Sequence, residues 1–164
     1  MQPWRLRRAE LTDAPAFASC VNAAYRHYIP RIGKPPGPML ADYTEEIIHH
    51  QVWVVESGQQ IIGGLVLIAE EDALLLDNIA VPPDHQGRRI GRALPELANT
   101  EALSQGHSEL RLYTHETMTE NIALYTRSGW VATHRGYQDG YARVFMHKRL
   151  LSSDGLEKEN GDRT

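Results

Sequence analysis

The segment Leu76–Ala93, LDNIAVPPDHQGRRIGRA, narrows the folds open to this chain more than any other. Its apolar start reads as a strand, which must end at Pro82-Pro83 because proline offers no ladder N–H. A short polar loop follows, and a turn rich in glycine and arginine then opens a helix. The early amides of a helix have no intrahelical partner, and the dipole there favours negative charge. A strand, such a turn and a helix N-terminus in that order form a site for a phosphate or pyrophosphate. Gly87 and Gly91 carry no Cβ, so the backbone can approach such a ligand closely.

The 164 residues predict one domain, 1–151, large enough to bury a core, and a polar tail, 152–164, expected to be disordered. Lysine and arginine number 17 against 21 acids, a net charge of −4. That balance excludes a general nucleic-acid binder, which shows a basic surplus. Arg88, Arg89 and Arg92 still form a local basic cluster. Cys20 is the sole cysteine, so neither an intramolecular disulfide nor a thiolate zinc cluster is available, and a small apolar role on a helix suits it. The N-terminal residues lack the apolar run of a signal peptide, and the longest apolar stretches are of strand length. The expectation is therefore a cytoplasmic protein without membrane association.

Alternation of Trp4 and Leu6 with Arg5 and Arg7 predicts a first strand. Thr12 or Asp13 caps a helix through Phe17, Val21 and Tyr25, with Pro15 in its first turn. Four prolines between Ile29 and Pro38 predict a stiff loop rather than helix. A short helix over about 42–50 precedes three strands, 51–56, 60–70 and 73–81, whose spacing suggests an antiparallel meander. A helix over about 88–105 ends at Gly106, and Pro95 within it predicts a kink or an early helical position. A strand over 109–115, a helix over 119–128 and strands over 131–135 and 141–148 complete the chain. The order predicts an α/β (α+β) domain of three layers around a mixed sheet of about seven strands with about four helices.

Two nucleotide motifs fail against the opening segment. Gly91 is followed by Arg92-Ala93 rather than the Lys-Ser/Thr of a P-loop, and two glycines after a meander do not make a dinucleotide fingerprint. What fits is Gln86-Gly87-Arg88-Arg89-Ile90-Gly91-Arg92-Ala93, an Arg-x-x-Gly-x-Ala sequence, together with Asn121-Ile122-Ala123-Leu124-Tyr125 leading to Gly129-Trp130. These two motifs, in this order and element context, resemble those of the GNAT N-acetyltransferase superfamily over about residues 3–150.

The resemblance implies the GNAT fold and acetyl-CoA as acyl donor. It implies that backbone amides around Gln86, Gly87, Arg88, Arg89, Gly91, Arg92 and Ala93 hold the pyrophosphate, with at least one of the arginines a solvated helix face. It also implies that the strand edge Ile79-Ala80-Val81 bonds the pantetheine arm. Tyr125 corresponds to the family's general acid, and Asn121, one helical turn earlier, shares its face and reaches the cofactor. Many relatives carry asparagine seven residues before the tyrosine, where this chain has Met118. Asp77 is the candidate base, placed by period two on the face of Ile79 and Val81; ordering a loop or pairing an arginine is the alternative role. Some relatives place that base on the next strand, where this chain has Tyr113. Transfer from a thioester to an amine needs no metal, and the histidines, His49-His50 and His115 included, show no ligand spacing.

The resemblance assigns the acceptor pocket to the segments 28–43 and 137–141. Aromatic residues with carboxylates suit a small cationic amine, and Arg31 and Lys34 suit an acidic acceptor such as an amino acid; the sequence leaves both open. The leading expectation is acetylation of a small-molecule primary amine. The alternatives are a protein or peptide N-terminal or lysine acetyltransferase and a non-catalytic acyl-CoA sensor. Relatives are frequently dimers, so a homodimer is the assembly the resemblance suggests.

Overall fold

A computed structural model describes residues 3–150; the tail from 152 lies outside the described residues. Seven strands form one sheet in the order β1-β2-β3-β4-β5-β7-β6. They are β1 (Trp4–Arg8), β2 (Gln51–Ser57), β3 (Gln60–Ala69), β4 (Leu74–Ala80), β5 (Glu109–His115), β6 (Val131–Gln138) and β7 (Tyr141–Arg149). The helices are α1 (Ala14–Tyr25), the single turn α2 (Ile29–Ile32), α3 (Tyr43–His49), α4 (Ile90–Ser104) and α5 (Thr119–Arg127). Strands β1 to β4 pair antiparallel in sequence order, as the meander requires, and β4 pairs β5 in parallel through the α4 crossover. The last hairpin inserts β7 between β5 and β6, turning at Asp139-Gly140 with both φ positive (54° and 82°).

Alternation along β3 divides the core. Leu65 and Leu67 pack beneath α4 with Ile90, Leu94 and Ala98, whereas Val66 joins Phe17 and Val21 of α1 and Tyr43 of α3. The sheet is thus covered on both faces, which is the expected three-layer arrangement.

Two local expectations are corrected. The segment 29–38 is not all loop: Pro30 sits at the start of α2, where its missing N–H has no partner to lose, and a 3-10 turn runs from Gly37 to Leu40. The fourth helix begins at Ile90 rather than Arg88 because Arg89 adopts left-handed φ (66°). It continues through Pro95, which leaves the Gly91 carbonyl without its usual helical donor.

The functional half of β4 is shaped by a bulge. Leu67 pairs with Leu76 but Val66 pairs with Asn78, so Asp77 is an inserted residue. The insertion reverses the alternation: Leu74 and Leu76 lie in the core under α4, whereas Ala80 lies in the core under α1. The face shared by Asp77, Ile79 and Val81 under strict period two therefore does not exist. Ile79 and Val81 pack toward the α4 core, and the Asp77 carboxylate turns to Tyr113, which alternates away from Leu110 and Leu112 of that core.

Candidate active site

The parallel pairing of β4 with β5 spans only Leu74–Leu76 against Leu110–Leu112. Beyond it β4 follows β3 to Ala80 while β5 follows β7 to His115, so the two strands part. A cavity of about 480 Å³ opens where they diverge, with Asp77 and Ile79 on one wall and Tyr113 and His115 on the other. A second cavity of about 550 Å³ lies between the end of β4, the turn into α4, and α5; Val81, Gln86, Gly87, Gly91 and Arg127 line it. Tyr25, Ile79, Asn121 and Tyr125 line both, so the two spaces meet at those side chains. Each has the volume of a small-ligand site.

The turn into α4 is held rather than loose. The Trp4 indole N–H donates to the Arg88 carbonyl at 3.0 Å, tying the turn to the first strand. Arg89 accepts the amides of Ala93 (3.0 Å) and Arg92 (3.3 Å), so its left-handed backbone, costing about 1–2 kcal/mol, closes the first turn. The Arg92 and Ala93 amides are thus already engaged, which moves the anion-facing donors toward the start of the turn. A Cβ built at Gly87 or Gly91 meets nothing within 4 Å, so no packing demands glycine there and the backbone faces open space. Gly87 also has φ of 84°, which a side chain would strain. That cradle fits a pyrophosphate. Arg89 and Arg92 are exposed, and Arg92 pairs with Glu96 at 3.4 Å as a solvated helix face. Ala80 is wholly buried and, unlike Ile79 and Val81, lines neither cavity.

At the junction Tyr125 is partly buried and packs edge-on against Trp130 with ring centroids 5.9 Å apart. Its hydroxyl makes no hydrogen bond among the described residues, and burial, then Tyr28, pushes its pKa up to about 12. Tyr25, at the end of α1, donates its hydroxyl to the Ile79 carbonyl at 2.6 Å. Burial raises this phenol far above the ordinary range, so it is a fixed donor. The Val81 carbonyl accepts from the Gln86 side chain at 3.3 Å. Both edge carbonyls are therefore partly satisfied from within the protein. Met118 is buried at the start of α5, where the Thr114 hydroxyl reaches its sulfur at 3.6 Å; among the described residues that line both cavities, Asn121 alone carries a side-chain amide.

On the far side, Tyr113 donates its hydroxyl to Asp77 Oδ1 at 2.8 Å. The position where some relatives hold a base thus orients Asp77 instead. Glu46 of α3 lines the same cavity, and its buried Oε2 lacks a hydrogen-bond partner among the described residues; His50 Nε2 stands 3.9 Å away. Desolvation, and then repulsion by Asp77, raise the Glu46 pKa. Tyr25 and Glu46 are the site residues that sequence reasoning missed. Tyr25 read only as a periodic residue of the first helix, and Glu46 falls within the short helix expected over about 42–50. No group of three His, Cys, Asp or Glu among the described residues is placed to hold a metal, and no described helix is long and apolar enough to cross a membrane.

Residues 49–147 match a family described as Acetyltransferase (GNAT) domain. Mycothiol acetyltransferase of Jonesia denitrificans is 35% identical over 88 residues, 52% of this chain and 28% of that protein. N-acetyltransferase family 8 member 2 of Rattus norvegicus is 29% identical over 120 residues, 68% of this chain and 50% of that protein. The chain therefore spans half or less of these curated relatives. Among solved structures, the PaiA N-acetyltransferase of Thermoplasma acidophilum in complex with coenzyme A aligns with TM-score 0.76 at 16% identity, covering 90% of this chain and 99% of that one. The ribosomal-protein-S18-alanine N-acetyltransferase of Escherichia coli gives 0.72 at 21%, covering 94% and 99%. At these identities the likeness is one of fold.

Proposed function

The chain belongs to the GNAT acetyltransferase family, and from that premise we propose that it transfers the acetyl group of acetyl-CoA to a primary amine of a small molecule by direct attack. One observation carries the proposal. A glycine-opened helix start on one side and carboxylates on the other belong to two cavities that meet at Tyr125.

The donor's phosphates lie in the cradle at Gly87–Gly91, and its pantetheine arm runs along Ile79 and Val81 toward Tyr125. Asn121 holds that arm from α5. The acceptor enters from the Asp77 side. There the amine nitrogen gives a proton to Asp77, which Tyr113 keeps oriented, and attacks the thioester carbonyl. The C–N bond forms, the C–S bond breaks, Tyr125 supplies the proton that the leaving sulfur requires, and its phenolate regains a proton from the acylated nitrogen. A backbone N–H of the β4 edge polarises the carbonyl oxygen.

A small acceptor is favoured over an extended peptide because the segment above the acceptor cavity is tied down. Tyr141 donates to the Pro35 carbonyl (2.5 Å), Lys34 to the Gly140 carbonyl (2.8 Å), and Arg31 pairs with Glu120 (2.6 Å). Thiol release from acetyl-CoA over a panel of amines, peptides and proteins tests the proposal. Release with small amines is expected. Release with peptides alone, or tight acetyl-CoA binding with no acceptor releasing thiol, contradicts it and favours the protein acetyltransferase or the sensor, respectively.

A further inference from the structure

The acceptor cavity is divided by charge. Glu46 and Asp77 stand at one end, close enough for Asp77 to raise the Glu46 pKa. Lys34 and Arg143 line the same cavity, and neither has a carboxylate within ion-pair distance among the described residues. Both cations are instead placed by aromatic rings and carbonyls. Arg143 lies over the Tyr113 ring at 4.2 Å, and Lys34 lies over Tyr141 at 4.1 Å while donating to the Gly140 carbonyl. Such contacts hold a cation in place without neutralising it.

Tyr113 joins the two ends. Its hydroxyl donates to Asp77 at 2.8 Å, and its ring carries Arg143 on one face. Tyr113 thus touches an acidic residue through its hydroxyl and a basic one through its ring. His115 belongs to the basic end as a neutral donor: the Thr117 N–H donates to its Nδ1 at 3.2 Å, and burial lowers its pKa. Asp139, at the hairpin tip, also lines the cavity but pairs with neither cation within 4 Å.

The buried Glu46 Oε2 has no hydrogen-bond donor among the described residues, with His50 Nε2 3.9 Å away, while Lys34, exposed, and Arg143, partly buried, have no carboxylate partner there, so a ligand can supply a donor at one end and an anion at the other. One ligand completes both. We propose that the acceptor is zwitterionic: an amino acid or amino-acid-like molecule whose ammonium lies between Glu46 and Asp77 and whose carboxylate lies against Arg143 and Lys34. This rests on the acetyltransferase reading above and names its substrate class. It opposes a polyamine, whose second cation would meet Arg143 and Lys34.

The test compares matched acceptors on the intact chain: the common amino acids, their methyl esters, their decarboxylated amines (leucine with isoamylamine, for example) and putrescine. The best amino acid is expected to exceed its ester and its decarboxylated amine in kcat/KM by about tenfold or more, the worth of one charge-assisted hydrogen bond. Arg143→Gln should raise KM for the amino acid about tenfold with kcat nearly kept, and leave the decarboxylated amine's KM unchanged. Equal or better turnover of the decarboxylated amine or putrescine by the wild type overturns the zwitterion while leaving the enzyme reading intact. Loss of turnover for all acceptors alike in Arg143→Gln also overturns it, by making that residue structural. Calorimetry of the same amino acids with the CoA-saturated protein separates the two readings. Binding without turnover sinks the transfer and keeps the zwitterion site, and absence of binding sinks the site.

Discussion

Tyr125→Phe isolates the proton that the departing sulfur must receive. The substitution removes one hydroxyl that bonds to nothing among the described residues, and the ring keeps its packing on Trp130. Stability should therefore change by less than about 0.5 kcal/mol. A positioned general acid contributes about 10²–10⁴-fold. Here the phenol is held at about 12, against about 8.5 for an alkyl thiol. Full transfer to a free thiolate is thus uphill by about 5 kcal/mol. The proton must move as the C–S bond breaks, and the benefit falls at the low end of the range. The expected loss in kcat is about a hundredfold. Steady-state thiol release gives kcat, and calorimetry gives the Kd for acetyl-CoA, which should stay within about threefold. A kcat within about threefold of wild type, or a defect confined to Kd, refutes the assignment.

Further outcomes follow from other contacts. Trp4→Phe removes the indole donor from the Arg88 carbonyl and should weaken acetyl-CoA about fivefold by calorimetry, with kcat at saturation kept; unchanged affinity removes the pin from the account. Glu46 binds its proton more tightly when folded, since burial and Asp77 outweigh His50 and His49. The melting temperature of wild type relative to Glu46→Gln should therefore fall as pH rises from the ordinary glutamate range through the raised value; a flat difference contradicts the buried charge. Asp13, held by Arg7 at 2.7 and 2.9 Å, has a lowered pKa. Asp13→Asn should cost about 1.5–3 kcal/mol near neutral pH by urea denaturation. That difference should vanish as pH falls through the lowered value, because the carboxylate stabilises only while ionised. Gly64→Ala should destabilise by about 1–3 kcal/mol or prevent folding, since its Cβ would lie 2.5 Å from the Trp53 carbonyl and 2.6 Å from Phe17; a wild-type melting temperature would show that the sheet yields there.

The elements were legible because the sequence writes them locally. Period two in β1 and β5, Asp139-Gly140 at the hairpin and Gly106 after α4 each act within a few residues. The helix start at Gln86–Ala93 was legible for the same reason. The bulge at Asp77 was not, because it appears only in the register against β3, and the expected face of Asp77 failed with it. Tyr25 escaped notice because its partner, Ile79, lies 54 residues away. Glu46 gains meaning only where α3 brings it beside Asp77 in a shared cavity. The charge division of the cavity at Asp77 needs Lys34, Asp77, Tyr113 and Arg143 from four separate segments.

Donor and acceptor are proposed to enter by separate cavities and to meet at Tyr125. A crystal structure of the chain with acetyl-CoA bound tests it most directly. The pyrophosphate is expected on the backbone of Gly87–Gly91 and the thioester between the Ile79 edge and the Tyr125 hydroxyl, with the Asp77 cavity left open for the acceptor. Phosphates bound away from the start of α4, or an acetyl group directed away from Tyr125, would contradict it.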